Sequence, residues 1–323
     1  MLTKELSKLP ALRLSFIEPM YARAVSELPE GNLWSYEAKL YGYRCLVAKG
    51  SRGDVVLWSR RGNAFTARFP KIARACQAMP TDTMIDGEVV AIDADGRMSF
   101  NALQHGRSKT QLQLYAFDIL VHRGRSTLRL PLEERRNMLV EALAKVQYPI
   151  IRSTPFDAKP ADLIRAAKEL ELEGLIAKRK DSLYEPGRRS GAWLKYKINR
   201  SQEFVVGGYT PGNPFDALIV GYYEGAELKF VGKVRNGFVP HVRREVFTKF
   251  TGLETTKCPF ANLPEKRRTI WALTASEMKE CRWLKPALVA QIEFTEWTPD
   301  EHLRHASFVG LRDDKEAREI VRE

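Results

Sequence analysis

Short runs in which apolar and polar residues alternate dominate the first two-thirds of the chain. WSYEAKLY from Trp34, RCLVAKG from Arg44, DVVLWSR from Asp54, TMIDGEVVAID from Thr83, LQLYAFDIL from Leu112 and GLIAKRK from Gly174 place β-branched or aromatic residues at period two. That spacing predicts strands with one buried face. LEERRNMLVEALAKV after Pro131 and ADLIRAAKELEL after Pro160 instead carry apolar residues at helical spacing behind a proline start. Strands and helices do not alternate regularly, so residues 1–199 are expected to form an α+β domain with antiparallel sheets.

The pattern changes after Asn199. FVVGGY, ALIVGYY, LKFVGKV and VAQIEFTEW are short strands set off by Gly, Pro and Asn turns. Such strands within residues 200–323 suit a small all-β barrel of the OB-fold kind, with the hinge between Ile198 and Glu203. The charged segment from Lys257 to Lys285, which holds Trp271 and Trp283, interrupts the barrel. A helix and loop packed on one barrel end is the expectation there.

Length and composition agree with two domains: 323 residues with 44% hydrophobic content supply ample core. The net charge of +12 favours a polyanionic partner, because Lys and Arg clusters that neutralise phosphates release counterions. Cys45, Cys76, Cys258 and Cys281 are scattered and form no C-x-x-C pair, which argues against a zinc site or disulfide framework and for reduced thiols. His302 and His305 stand three apart without further ligands at metal spacing, so surface or nucleic-acid-facing histidines are expected. The N-terminus lacks a secretory apolar run and no stretch of about 18 apolar residues could span a bilayer. A cytoplasmic protein without membrane contact is expected.

The chemistry resides in an ordered series of charged motifs. EAKLYGYR begins at Glu37, SRRGN at Ser59, DGEVV at Asp86, FDIL at Phe117, EGLIAK at Glu173, WLKYK at Trp193 and GLRDDK at Gly310. Each is weak alone. Together they resemble the covalent nucleotidyltransferases, most closely ATP-dependent DNA ligases of the bacterial non-homologous end-joining type, and the resemblance covers nearly the whole chain. The first motif arrives by residue 39, which leaves no additional N-terminal domain to expect.

Lysine is a suitable nucleotide carrier, since a phosphoamide becomes labile once protonated, provided the amine is neutral when it attacks phosphorus. Lys39 is the nucleophile that the resemblance implies. Neighbouring cations or partial burial would have to lower its pKa from the ordinary ~10.4, and Lys195 and Lys197 are candidates for that task. Two apart on a strand, those lysines point to one face, as do Glu37 and Lys39. By resemblance Glu37 accepts from the adenine amine, Phe117 stacks on the base, and Arg44, Arg60 and Glu88 reach the ribose or the phosphate end. Taken on its own, Phe117 reads first as a core aromatic, and only its place in the series moves it to the base; Asp86 reads also as part of an Asp-Gly turn. The resemblance further implies ATP with Mg²⁺, or Mn²⁺ in its place, and assigns the metal to Glu173. Lys178, Lys195 and Lys197 would wall the α-phosphate, while Arg312 and Lys315 orient the β- and γ-phosphates with support from Asp314.

One position departs from the ligase pattern. Tyr41 stands where Lys-x-Asp-Gly has its carboxylate, which keeps three rival readings in view: an RNA ligase, an RNA-capping guanylyltransferase, and a nick-binding homologue that has lost catalysis. The implied partner is nicked or broken double-stranded DNA, met by a monomer, with a Ku-like end-binding protein or a repair polymerase as companions.

Overall fold

The computed structural model describes residues 6–93, 96, 98–105, 110–170, 172–198, 200–265 and 272–323; Asn199 and Trp271 lie outside the described residues. Two compact units divide the chain, Met1–Ile198 and Asn199–Glu323.

Two sheets build the first unit. The larger runs in the order Val55–Ser59, Gly42–Lys49, Thr83–Ile92, Gln111–His122 and Arg125–Ser126, with Ile150–Arg152 added parallel to Gln111–His122. The smaller runs Arg23–Ala24, Trp193–Lys197, Gly174–Arg179 and Trp34–Lys39. Its last three strands are antiparallel, and each alternates apolar with polar residues. One face of this sheet carries Tyr36, Leu175, Ala177 and Leu194, which pack with Leu163 and Ala167 of the helix Pro160–Glu169. The proline opens that helix at its first turn, where a missing N–H costs nothing.

Between the sheets lies a second apolar layer. Leu46, Met84, Phe117 and Leu120 of the larger sheet meet Trp193 of the smaller one, with Met20 and Tyr184 from the connecting segments. The helix Leu132–Leu143 carries Glu133 and Glu134 in its first turn, where they complement the helix dipole. Two further helices, Pro70–Ala75 and Phe100–His105, span six residues each. That is too short to leave a periodic signature, so the apolar pattern gives no warning of them.

The second unit is a barrel. Arg200–Pro211 pairs with Phe215–Glu224, which pairs with Glu227–Val234; on its other side Arg200–Pro211 pairs with Arg282–Phe294, which pairs with Ser307–Leu311. A parallel bridge from Asn236 to Ser307, with Phe308 N–H donating to Asn236 O at 2.9 Å, links the first and last strands of that path and closes it. Five strands closed in the order 1-2-3-5-4 form an OB-type barrel. Inside it Phe204, Val220, Phe230, Ala290, Ile292 and Phe308 are buried, joined by Val242 and Val246 of the helix Pro240–Thr248.

Within the segment from Lys257 to Lys285 the described residues include a one-turn helix, Ala275–Met278, with connecting loop; a strand starts at Arg282, and Phe260, Leu273 and Trp283 belong to the barrel core. One expectation needs correcting here. His302 is no surface histidine. It is buried against Phe230, with Nε2 2.8 Å from Glu265 Oε1, whereas His305 is exposed. The four cysteines are free, and burial pushes the thiols of Cys76 and Cys281 up to about 12 and about 11. Among the described residues no helix is long and apolar enough to cross a membrane.

Candidate active site

Strand register gathers residues of three motifs on one surface. Directly opposite residues of an antiparallel pair share a face, as do residues two apart on one strand. Ser35, Glu37 and Lys39 lie opposite Lys178, Ile176 and Gly174, which lie opposite Trp193, Lys195 and Lys197. All nine positions therefore belong to one face of the smaller sheet. The other face is the apolar one packed on the helix Pro160–Glu169.

Gly174 stands in the row between Lys39 and Lys197. A Cβ there would lie 2.0 Å from the carbonyl oxygen of Tyr196, so only glycine lets the strands approach. Gly42 has the same reason for its identity: a Cβ would come within 2.2 Å of Val89 O.

Lys39 Nζ donates to Glu173 Oε1, and both side chains are largely covered. Beside this pair, Glu37 is buried. Arg136 donates to its Oε1, while Lys178 Nζ and Ser153 Oγ donate to Oε2 at 3.0 Å each. Burial alone would raise the Glu37 pKa, but Lys178 and Arg136 outweigh it and hold the carboxyl below its usual value. For Lys178 burial wins over the attraction of Glu37, and its pKa falls. Its ammonium lies 4.2 Å from the Phe117 ring centroid and 4.4 Å from that of Trp193.

Phe117 sits where the register of Gln111–His122 against Thr83–Ile92 slips: Asp86 faces Asp118 and Gly87 faces Ala116. The unpaired residue is re-aimed, as at a β-bulge, and its ring stands edge-on to Trp193 with the Arg44 guanidinium 4.7 Å from its centroid. Phe117 thus belongs to the apolar layer between the sheets and also lies under two cations. Asp118, next in sequence, forms a fully buried two-point ion pair with Arg135, both bonds at 2.8 Å, which fixes the bulge to the helix Leu132–Leu143.

Asp86 is not in a turn. It is mid-strand and fully buried, accepts from Arg44 Nε and Nη2 at 2.6 Å each, and takes the Tyr184 hydroxyl at 2.6 Å. Burial opposes the Arg44 charge, and Asp86 more than offsets that. With its Nε edge committed to Asp86, Arg44 has Nη1 as the edge it can turn to a ligand. Glu88 is half-buried and opposite Arg44. Arg44 Nη2 also donates to Met20 O at 3.2 Å, and the next residue, Tyr21, carries the Arg60 guanidinium 4.3 Å above its ring. Arg60 thus joins the cluster through the Met20–Tyr21 segment rather than through the lysine face.

Lys195 and Lys197 are half-buried on the shared face. Tyr41 lies half-buried in the two-residue link between Lys39 and Gly42. Arg312 and Lys315 belong to the second unit. There Asp314 grips Arg312 Nε and Nη2 at 2.8 Å each, and Glu203 Oε1 lies 3.0 Å from Lys315 Nζ. Sequence reasoning missed Arg136, Ser153, Tyr184 and Glu203. None stands within a motif, and each acts on a motif residue far away along the chain.

Among the described residues no three His, Cys, Asp or Glu side chains gather as a metal cage. A single carboxylate such as Glu173 beside the nucleophile suits Mg²⁺, which keeps its waters and accepts phosphate oxygens.

The comparisons with known proteins point the same way. Residues 18–197 match the ATP dependent DNA ligase domain, and residues 211–315 match the ATP dependent DNA ligase C terminal region. The multifunctional non-homologous end joining DNA repair protein LigD of Mycobacterium tuberculosis strain H37Rv is 33% identical over 296 residues, covering 90% of this chain. LigD of Pseudomonas aeruginosa is 34% identical over 321 residues, covering 95%. The chain spans 37% of the length of each. A solved structure of mycobacterial DNA ligase D complexed with ATP and MES superposes with a TM-score of 0.69 at 32% identity, covering 95% of this chain and 98% of that one. Matching domain models across both units, and relatives at a third identity along nearly the full chain, place this protein in the ATP-dependent DNA ligase family.

Proposed function

We propose that this chain seals breaks in double-stranded DNA through a lysyl-AMP intermediate, as the ligase part of end-joining repair. The observation that carries the reading is the single sheet face on which Lys39, paired with Glu173, stands two residues from the ionised Glu37.

Glu37 selects the base. A carboxylate offers about four acceptor positions, and Arg136, Lys178 and Ser153 fill three. The fourth accepts the exocyclic amine of adenine. A guanine carbonyl at that place would meet a like-charged oxygen.

For the first transfer Lys39 leaves Glu173, loses a proton and attacks the α-phosphorus. An N–P bond forms, the bond to the bridging oxygen breaks, and pyrophosphate departs. Lys195 and Lys197 hold the α-phosphate oxygens, with Arg312 and Lys315 on the β- and γ-phosphates. A Mg²⁺ held by Glu173, phosphate oxygens and water would draw that carboxylate's charge from Lys39 and offset charge on the leaving group. In the second transfer an oxygen of the DNA 5′-phosphate attacks the same phosphorus, and the N–P bond breaks as Lys39 regains a proton. A 3′-hydroxyl then attacks the 5′-phosphorus, AMP leaves and the backbone is closed. Positioning and fixed charge supply most of the rate.

The relatives' names, multifunctional non-homologous end joining proteins, support that repair setting. A monomer in the cytoplasm, met at DNA ends by a Ku-like protein or a repair polymerase, completes the proposal. Incubation with labelled ATP and, separately, labelled GTP, followed by a denaturing gel, tests it. Label from ATP alone is expected. Label from GTP alone would support a capping enzyme, and no label with intact nick binding would support a non-catalytic homologue.

A further inference from the structure

Arg312 and Lys315 of the last motif meet on one carboxylate outside that motif. Glu203 Oε1 lies 3.0 Å from Lys315 Nζ and 3.6 Å from Arg312 Nη1, and all three side chains are 14% exposed. The barrel register explains the meeting. Glu203 is opposite Gln291, which is opposite Gly310, so a residue just past the end of the Ser307–Leu311 strand turns back over that polar row. Arg312 needs no second anchor: Asp314, itself buried, already takes Nε and Nη2, and Gln291 Oε1 lies 3.4 Å from Nη1. Glu203 is thus a further carboxylate beside an arginine that Asp314 already holds. It puts a negative oxygen at the common focus of two cations, the place at which a bridging phosphate oxygen would bind both.

We infer that Glu203 is an internal competitor for the terminal phosphates of ATP, occupying Arg312 and Lys315 before the nucleotide arrives and again as pyrophosphate leaves. This rests on the reading in which those two residues contact the β- and γ-phosphates. Glu203 and Asp314 already bring negative charge to the two cations, so an arriving polyphosphate adds more of it beside Glu203, which must withdraw or be repelled. The competition weakens ATP and pyrophosphate alike. It leaves untouched the last transfer, in which neither is present.

Glu203→Gln keeps the shape and removes the charge. Self-adenylation of the variant should half-saturate at about fivefold lower ATP, the scale of one partly screened ion pair. Pyrophosphate should strip AMP from the adenylated variant at about fivefold lower concentration, and sealing of a nick already bearing AMP should keep its rate. If Gln lowers the melting temperature markedly, Glu203→Asp, whose shorter carboxylate retreats from both cations, must shift the two concentrations in the same direction. An unchanged or higher ATP requirement, while Arg312→Ala and Lys315→Ala each raise it, would make Glu203 a mere anchor and overturn the inference. Should those two alanine variants leave the ATP and pyrophosphate dependences unaltered, the reading of the last motif itself fails.

Discussion

A fully buried carboxylate persists only where cations or donors meet it. Asp86 meets both, since Arg44 grips it by two bonds and Tyr184 by a third. Through Asp86 the guanidinium is held above Phe117, and the Tyr184 hydroxyl in turn accepts from Met20 N–H at 3.0 Å. Asp86→Ala should therefore cost about 3 kcal/mol of unfolding free energy, because it strands a mostly covered guanidinium; chemical denaturation of the two forms measures this, and a loss within 0.5 kcal/mol, roughly that of an ordinary surface substitution, would contradict it. At this scale the sequence disclosed the residues that converge on one sheet face and hid those that hold them. Lys39, Glu37 and Lys178 stand in motifs with a chemical meaning, and they do converge. Arg136 reaches Glu37 from 99 residues away, and nothing in the helix Leu132–Leu143 distinguishes it from the neighbouring Arg135, which turns to Asp118 instead.

Among the elements, the three strands Trp34–Lys39, Gly174–Arg179 and Trp193–Lys197 form the sheet face that carries Glu37, Lys39 and Lys178. Their existence is legible because period-two alternation follows from one apolar and one polar face. Their partnership is not, since register depends on contacts across more than a hundred residues. At Gly174 a Cβ would lie 2.0 Å from the Tyr196 carbonyl oxygen. Gly174→Ala should destabilise the first unit by about 2 kcal/mol through overpacking and displace Lys39 relative to Lys197, so that self-adenylation falls more than tenfold, about the effect of an ångström of misplacement. Melting with a parallel adenylation assay checks both, and unchanged values would show that the strands can part without consequence. In the second unit, Thr274 and Glu277 form a capping box on the turn Ala275–Met278. The Thr274 backbone N–H, opposed by partial burial and aided by Lys233, lowers the Glu277 pKa from 4.5 to about 2. Its stabilising charge is present above 4.5 and disappears as pH falls toward 2, because the unfolded chain then takes up the proton first. Glu277→Gln should cost about 0.5 kcal/mol at pH 7 and nothing near pH 2; a difference that stays constant over that range would refute the linkage.

For the molecule as a whole, the order of the motifs told more than any one of them. Seven short charged segments in a fixed sequence implied both units, and the charge of +12 implied a polyanion. Less legible was whatever depends on closure in space: the short helices Pro70–Ala75 and Phe100–His105, the burial of His302, and the carboxylate at position 203 that meets the last motif. Each is fixed by packing against distant residues rather than by local periodicity. The central claim is that Lys39 carries AMP from ATP to a DNA end, and the most direct measurement is peptide mapping by mass spectrometry after incubation with ATP and Mg²⁺, followed by a chase with nicked DNA. One AMP on the peptide containing Lys39, lost as sealed DNA appears and absent from a folded Lys39→Ala variant, is the predicted result. AMP on a different lysine, or sealing by the Lys39→Ala variant, would contradict it.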